Sequence, residues 1–352
     1  NGIVFLKERR LFAPAANEHN VLSFRSLTVE FMPEPIVKFD QLIDQLALPA
    51  VAAPMFIVSN PDLVVAECIA GVIGSFPALN AREPDNLDGW LTEIKERTDN
   101  ARAEGNFVAP YAVNLIVHRN NDRLEEDLDT VVEHRVPIVI TSVGKPGEIA
   151  HAVHSYGGLI FHDVTNIRHA QKALESGVDG LILVCAGAGG HAGVLSPFAL
   201  VPEVRSFFDG PLMLSGCISD GRSVYAARAL GADLAYLGTR FITTNEANAV
   251  SDYKDMILNS AAADITYTPE FSGIPASYLT MSIMAAGLDP TEVALPGAKV
   301  EQEFRGAGEK PKAWSTIWSA GQGCGSVNDV LSTADLVVRL KAEYDAARAQ
   351  SA

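Results

Sequence analysis

The chain has 352 residues, 48% hydrophobic and 20% charged, enough apolar material for one large domain or two smaller ones. Its 27 Lys+Arg against 43 Asp+Glu give a net charge of −16, which repels phosphate backbones and anionic membrane surfaces. Nucleic acid is thereby excluded as the main partner, while a local pocket for a single phosphate is not. Cys68, Cys185, Cys217 and Cys324 lie far apart, with no Cys-x-x-Cys pair and no cluster with histidine, so neither a disulfide framework nor a metal site is indicated and a reducing cytoplasm fits best. No apolar run reaches the ~18 residues of a membrane span, and no charged-then-apolar leader pattern opens the chain. The start at Asn1, without methionine, points to a processed or trimmed N-terminus.

Residues 1–48 mix charge with aromatic side chains and read as an N-terminal extension packed against the main domain. From about Val51 one theme repeats: a short Val/Ile/Leu/Ala run, a Gly-rich or polar turn, then a stretch with helical spacing. That alternation predicts βα units on a parallel sheet. The predicted strands are 50–57, 71–76, 107–116, 137–141, 158–162, 180–184, 211–214 and 234–237. Three helix-to-strand joints resemble one another, and in each a glycine (Gly71, Gly177, Gly231) can end the helix in a left-handed conformation. Eight such units over 49–260 predict an α/β fold, a TIM (β/α)8 barrel. A doubly wound sheet is the alternative, but no Gly-x-Gly-x-x-Gly follows the first strand. Residues 261–310, with Tyr267, Phe271, Pro275 and Tyr278, break the pattern as an inserted lid-like segment after the eighth unit. Residues 311–352 are expected to complete the site and pack on the barrel, ending in an amphipathic helix over 328–350.

In such barrels the chemistry sits at the carboxyl ends of the strands. After the sixth strand comes Cys185-Ala-Gly-Ala-Gly-Gly-His-Ala-Gly193, where glycine lets the backbone approach a flat ligand. His191 is expected to project from this flexible loop into the barrel mouth, with a titration range suited to a general base. The plainer reading is a histidine that caps the following helix or bonds a carbonyl. Ser215-Gly-Cys-Ile-Ser-Asp-Gly221 and Gly238-Thr-Arg-Phe241 follow the seventh and eighth strands, where barrels bind phosphate through backbone amides and a helix N-terminus. Either loop alone reads as a tight turn; together, at consecutive positions, they favour a small phosphorylated cofactor. Pro54, Met55 and Asn114, at the ends of the first and third strands, offer soft surface and an amide to an aromatic heterocycle. Cys185 and Cys217 read as packing groups ahead of redox partners. Trp314 and Trp318 either wall an apolar pocket or pack in a helix.

These motifs resemble a known family, the nitronate monooxygenases, formerly called 2-nitropropane dioxygenases, together with related FMN-dependent enoyl-ACP reductases. The resemblance covers about residues 48–330 and rests on Ala53-Pro-Met55, Asn114, Gly189-Gly-His-Ala-Gly193, the 215–221 loop, Leu237-Gly-Thr-Arg-Phe241 and Ser319-Ala-Gly-Gln-Gly323. It implies an FMN across the barrel mouth. Pro54, Met55 and Asn114 would contact its ring system, Gly190 its edge, and Ser215, Gly216, Gly238 and Thr239 its phosphate. Gly189, Cys217 and Gln322 complete the cofactor-binding set. His191 matches the family's catalytic histidine, which takes the α-proton of a nitroalkane or assists oxidation of its nitronate. A small-molecule nitronate or nitroalkane and O2 are then the partners, with carbonyl compound and nitrite as products and a homodimer as an open assembly. The sequence departs from the family at Cys217, where Gly-Gly-Ile is more usual, which puts the local backbone geometry in question. The Phe271-Ser-Gly-Ile-Pro-Ala-Ser277 stretch belongs to longer members. His162-Asp163 reads either as a second polar contact to the flavin or as a satisfied structural pair. An NAD(P)H-dependent FMN reductase acting on a quinone or enoyl thioester shares all these motifs. A non-catalytic barrel binding a phosphorylated metabolite shares the fold and phosphate loops.

Overall fold

The structure, a computed structural model, describes residues 33–82, 86–293 and 314–351. Most of the predicted N-terminal extension (1–32) and part of the lid-like segment with its junction (294–313) lie outside the described residues. Eight parallel strands appear in chain order: β1 (Ala50–Ala52), β2 (Gly74–Pro77), β3 (Tyr111–Ile116), β4 (Ile138–Ser142), β5 (Leu159–Val164), β6 (Gly180–Val184), β8 (Leu212–Ser215) and β9 (Leu234–Leu237), with the two-residue β7 (Gly190–His191) belonging to a separate small sheet. They run β1-β9-β8-β6-β5-β4-β3-β2, and a parallel Val51–Ile73 bridge joins the two edges, so the sheet closes as a TIM barrel. Between the strands run α2 (Pro61–Ala70), α3 (Leu87–Ala103), α4 (Leu124–Glu133), α5 (Gly147–His154), α6 (Ile167–Glu175), α7 (Pro197–Arg205) and α8 (Gly221–Leu230).

The eight strands fall where the sequence places them, with boundaries moved by proline and glycine. β1 stops at Ala52 instead of 57, since Pro54 offers no N–H to a ladder and the chain turns back, Ser59 N donating to Met55 O at 3.0 Å. β3 begins at Tyr111, after Pro110, for the same reason. β2 begins at Gly74 because Gly71 ends α2 in a left-handed conformation (φ 89°). Gly177 (φ 88°) and Gly231 (φ 114°) end α6 and α8 the same way, as expected of the three joints.

The barrel interior is filled by Val51, Ile73, Ile138, Ile140, Phe161, Ile182 and Met213, all fully buried. The amino-terminal end of the barrel is plugged by α1 (Phe39–Gln45). Its Leu42 is buried, Phe39 lies 5.7 Å from the Phe161 ring, and Ile36 N donates to Gly157 O just before β5. A second shell between strands and helices holds Val64, Phe76, Leu91, Val113, Leu183 and Leu237.

After β9 come the short α9 (Thr239–Ile242), α10 (Ser251–Leu258), a hairpin of β10 (Ile265–Thr268) and β11 (Ala276–Leu279), α11 (Thr280–Ala285) and α12 (Pro290–Val293). The C-terminal helix α13 (Thr333–Gln350) starts at the Ser332 cap and buries Leu336, Val337 and Leu340 against α8 and α2. Among the described residues no helix is long and apolar enough to cross a membrane.

Glu67 on α2 is buried against β2, facing Gly74, and desolvation pushes its carboxyl well above its ordinary value of 4.5, with the Glu246 charge adding to the effect. A carboxyl whose folded value exceeds its unfolded one holds a proton that unfolding releases, so stability falls as pH rises above about 4.5. Glu67→Gln is expected to remove this loss. Denaturant midpoints of variant and wild type should converge near about pH 4, with the variant the more stable at about pH 8.

Candidate active site

The loops at the carboxyl ends of the strands enclose a cavity of about 1930 Å3. Every residue selected from the sequence for the site lines it except Gln322.

On the β1 side, Pro54 and Met55 sit in a loop held by Asn80, a residue that sequence reasoning missed. Asn80 Nδ2 donates to Met55 O (2.9 Å) and Ser59 O (2.8 Å), and its Oδ1 accepts from Ile57 N (2.9 Å). These bonds hold Ile57 at φ 70°, a conformation that costs a β-branched residue about 1–3 kcal/mol. An asparagine just past a strand is too common to signal this role in sequence.

The wall formed by β3, β4 and β5 carries a polar chain. Asn114 Nδ2 donates to Ser142 Oγ (2.8 Å), which donates to Asp163 Oδ2 (2.5 Å). Asp163 Oδ1 is buried with no hydrogen-bond partner among the described residues, and burial pushes this carboxyl up to about 6 against the opposing pull of Ser142. His162 shares a 2.8 Å hydrogen bond with Thr141 instead, and burial pulls it down to about 4, so it is neutral. The two neighbours are therefore not a pair with each other.

His191 does not sit on a flexible loop. Gly190–His191 form the short strand β7, which pairs antiparallel with β11 in register Ala276–His191 and Ser277–Gly190. The described part of the lid-like segment is thus the sheet that holds the histidine. The Ser319 hydroxyl accepts from Gly190 N (2.7 Å) and donates to Ser277 O (2.6 Å), and Tyr267 OH donates to Ala192 O (2.7 Å). The His191 ring stands edge-on to Trp314 at 5.5 Å, and its Nε2 lies 3.1 Å from Ser272 Oγ. It does not cap α7, whose N-cap is Ser196. Desolvation lowers its pKa below 6.5, so the ring is neutral at pH 7.

After β8, Gly216 (φ 136°) and Cys217 (φ 56°) turn the chain sharply. Cys217 thus adopts, at a cost, the left-handed geometry that a glycine takes freely. Gly187 takes φ 81° and a Cβ there would fall 2.1 Å from Cys217 Sγ, so both its backbone and its neighbour favour glycine. The N-terminus of α8 is not free for an anion, contrary to the sequence expectation. Asp220 accepts from Ser223 N (2.6 Å) and Glu343 of α13 from Gly221 N (2.7 Å). Of the loops after β8 and β9, residues 215–219 and Gly238–Thr239 line the cavity. Thr239 Oγ1 accepts from Gly321 N (2.8 Å), and Gln322 N donates to Gly187 O (2.9 Å). The Gln322 side chain turns to Cys217 (3.9 Å) while Gly321 and Gly323 line the cavity. The two tryptophans part company: Trp314 lines the cavity, whereas Trp318 stacks on Tyr253 at 5.1 Å.

Ser319→Ala leaves Gly190 N and Ser277 O without their partner in a buried place. It is expected to cost about 1–3 kcal/mol in urea unfolding and to loosen β7 and β11 in hydrogen exchange while leaving the barrel strands protected.

The nitronate monooxygenase family profile matches residues 40–343. Among curated proteins, a nitronate monooxygenase of Paraburkholderia phytofirmans is 27% identical over 288 residues, 69% of this chain and 76% of that protein. A (3aS,4S,5R,7aS)-5-hydroxy-7a-methyl-1-oxo-octahydro-1H-indene-4-carboxyl-CoA dehydrogenase of Rhodococcus jostii is 25% identical over 236 residues, 67% of this chain and 64% of that protein. Among solved structures, a nitroalkane oxidase of Streptomyces ansochromogenes superposes with a TM-score of 0.69 at 24% identity, covering 88% of this chain and 99% of the other. A closed eight-stranded barrel with a histidine held at its mouth, matched by the family over 40–343, makes this chain a member of the nitronate monooxygenase family and an oxidoreductase.

Proposed function

We propose that the protein is an FMN-dependent monooxygenase that oxidises alkyl nitronates and nitroalkanes with O2 to a carbonyl compound and nitrite. The observation that carries this reading is a neutral His191, pinned by β11 at the mouth of the cavity. The cavity suits a flavin on two counts: Asp163 Oδ1 is a buried acceptor without a partner among the described residues, and Gly190 and Gly238, where an added Cβ would meet no atom closer than 3.7 Å, line the wall with backbone alone. Pro54, Met55 and Asn114 would flank the ring system, Gly189 and Gly190 its edge, and Ser215, Gly216, Cys217, Gly238 and Thr239 the phosphate. FMN, when bound, supplies the redox centre between substrate and oxygen. His191 takes the α-proton of a neutral nitroalkane, with Trp314 edge-on against its ring.

His191→Asn is expected to keep FMN bound and lower kcat on the neutral nitroalkane by about 100-fold or more, with a smaller loss on the anionic nitronate, which already lacks the proton. Equal loss on both substrates argues against a base. The base acts in its neutral form, so kcat/KM on the nitroalkane should fall only as pH drops through a value below 6.5 and stay level above it.

A second reading draws on the cavity, whose volume of about 1930 Å3 exceeds the roughly 300–1,000 Å3 usual for ligand pockets. That leaves room beyond a flavin and a small nitronate for a bulky thioester or quinone, and the Rhodococcus jostii relative is named for a CoA-linked substrate. Anaerobic titration separates the readings. Bleaching of the flavin by nitronate but not by NADH or NADPH supports the monooxygenase, and bleaching by the pyridine nucleotides supports a reductase. A colourless protein that cannot be reconstituted with FMN removes both.

A further inference from the structure

The hydrogen bonds around His191 decide more than its position. Ser272, in the turn between β10 and β11, has one hydroxyl proton, and its Oγ donates to Ile274 O at 2.9 Å. The same oxygen accepts from Tyr278 OH at 3.3 Å. Tyr278 is fully buried, with its ring edge-on to Phe271 at 5.0 Å, and burial raises its pKa, so it stays a donor. A hydroxyl has one proton to give and two lone pairs to fill. With its proton spent on Ile274 and one lone pair taken by Tyr278, Ser272 Oγ can meet His191 Nε2, 3.1 Å away, only as an acceptor. Donation from Ser272 to Ile274 O thus assigns the ring proton to Nε2. Nδ1 has no hydrogen-bond partner among the described residues.

We infer that Ser272 and Tyr278 are positioning residues that hold His191 as its Nε2–H tautomer, so that Nδ1 is the atom that takes the substrate's α-proton. This rests on the nitroalkane reading above. In the step, the substrate C–H bond breaks, its electron pair stays on the substrate as the nitronate, and an N–H bond forms at Nδ1. No oxidant is consumed. The resulting imidazolium keeps Ser272 Oγ as acceptor for Nε2–H, so the ring is charged without rearranging its partners. The partner is a neutral hydroxyl instead of a carboxylate. It orients the ring without raising its basicity, which keeps Nδ1 free of a proton at neutral pH.

The test is nitrogen-15 NMR of the histidine rings in the FMN-loaded protein at about pH 8, with His191→Asn for assignment. A protonated Nε2 and bare Nδ1 are expected; a protonated Nδ1 overturns the inference. In turnover, Ser272→Ala should lower kcat on the neutral nitroalkane about ten-fold with KM changed less than about two-fold, leave the nitronate reaction near wild type, and be rescued by Ser272→Thr. An unchanged kcat, or an equal fall on the nitronate, overturns it as well. The tautomer spectrum needs no turnover, so a protein inactive on nitroalkanes would refute the substrate reading while the NMR result still decides the histidine's orientation.

Discussion

A single hydroxyl governs the mouth of this barrel. Ser319 joins β7 to β11 by accepting from Gly190 and donating to Ser277, contacts that link positions 129 and 42 residues away in sequence. Through it the 319–323 stretch is threaded between the loops after β6 and β9, where Gly321 and Gln322 make their own backbone contacts to Thr239 and Gly187. A glycine-rich loop would otherwise sample many conformations, at a cost in entropy whenever it had to present His191 in one of them. Pairing it into a small sheet settles that cost when the protein folds, before any substrate arrives.

The electrostatics of the cavity follow from one cause acting in different directions. Burial disfavours charge, so it lowers His162 to about 4, lowers His191, and raises Asp163 to about 6. In a chain of net charge −16, His162 and His191 are thus neutral at pH 7, while Asp163, at about 6, is still largely a carboxylate there.

The barrel was legible in the sequence because its signals are local: apolar runs, helical spacing and three glycine stops are each read within a few residues. Strand ends at Ala52 and Tyr111 moved because proline, ignored in tracing apolar runs, withdraws a ladder donor. The site was legible as far as its loops were. His191, Asn114 and the 215–221 loop carry unusual residues next to strand ends, and His191, Asn114 and residues 215–219 line the cavity. What stayed hidden was long-range. Nothing near His191 announces that Ser272 will bond it, nor near Gly221 that Glu343, 122 residues away, will occupy the start of α8. Asn80 was missed for a different reason: its role lies in the three backbone groups it satisfies, and those belong to a turn that does not exist until Ile57 takes its strained conformation.

The bond from Gly221 to Glu343 has a bearing on how the protein is made. A chain emerging from the ribosome N-terminus first has delivered all eight barrel strands by residue 237, well before Ser319, Gly321 and Glu343 exist. Closure of the barrel and completion of its mouth are therefore separated in time. During that interval the loops after β6, β8 and β9 lack the partners that later hold them, and α2 and α8 lack the cover of α13, so the nascent barrel has its strands before it has a finished outer wall or a site competent to hold a ligand.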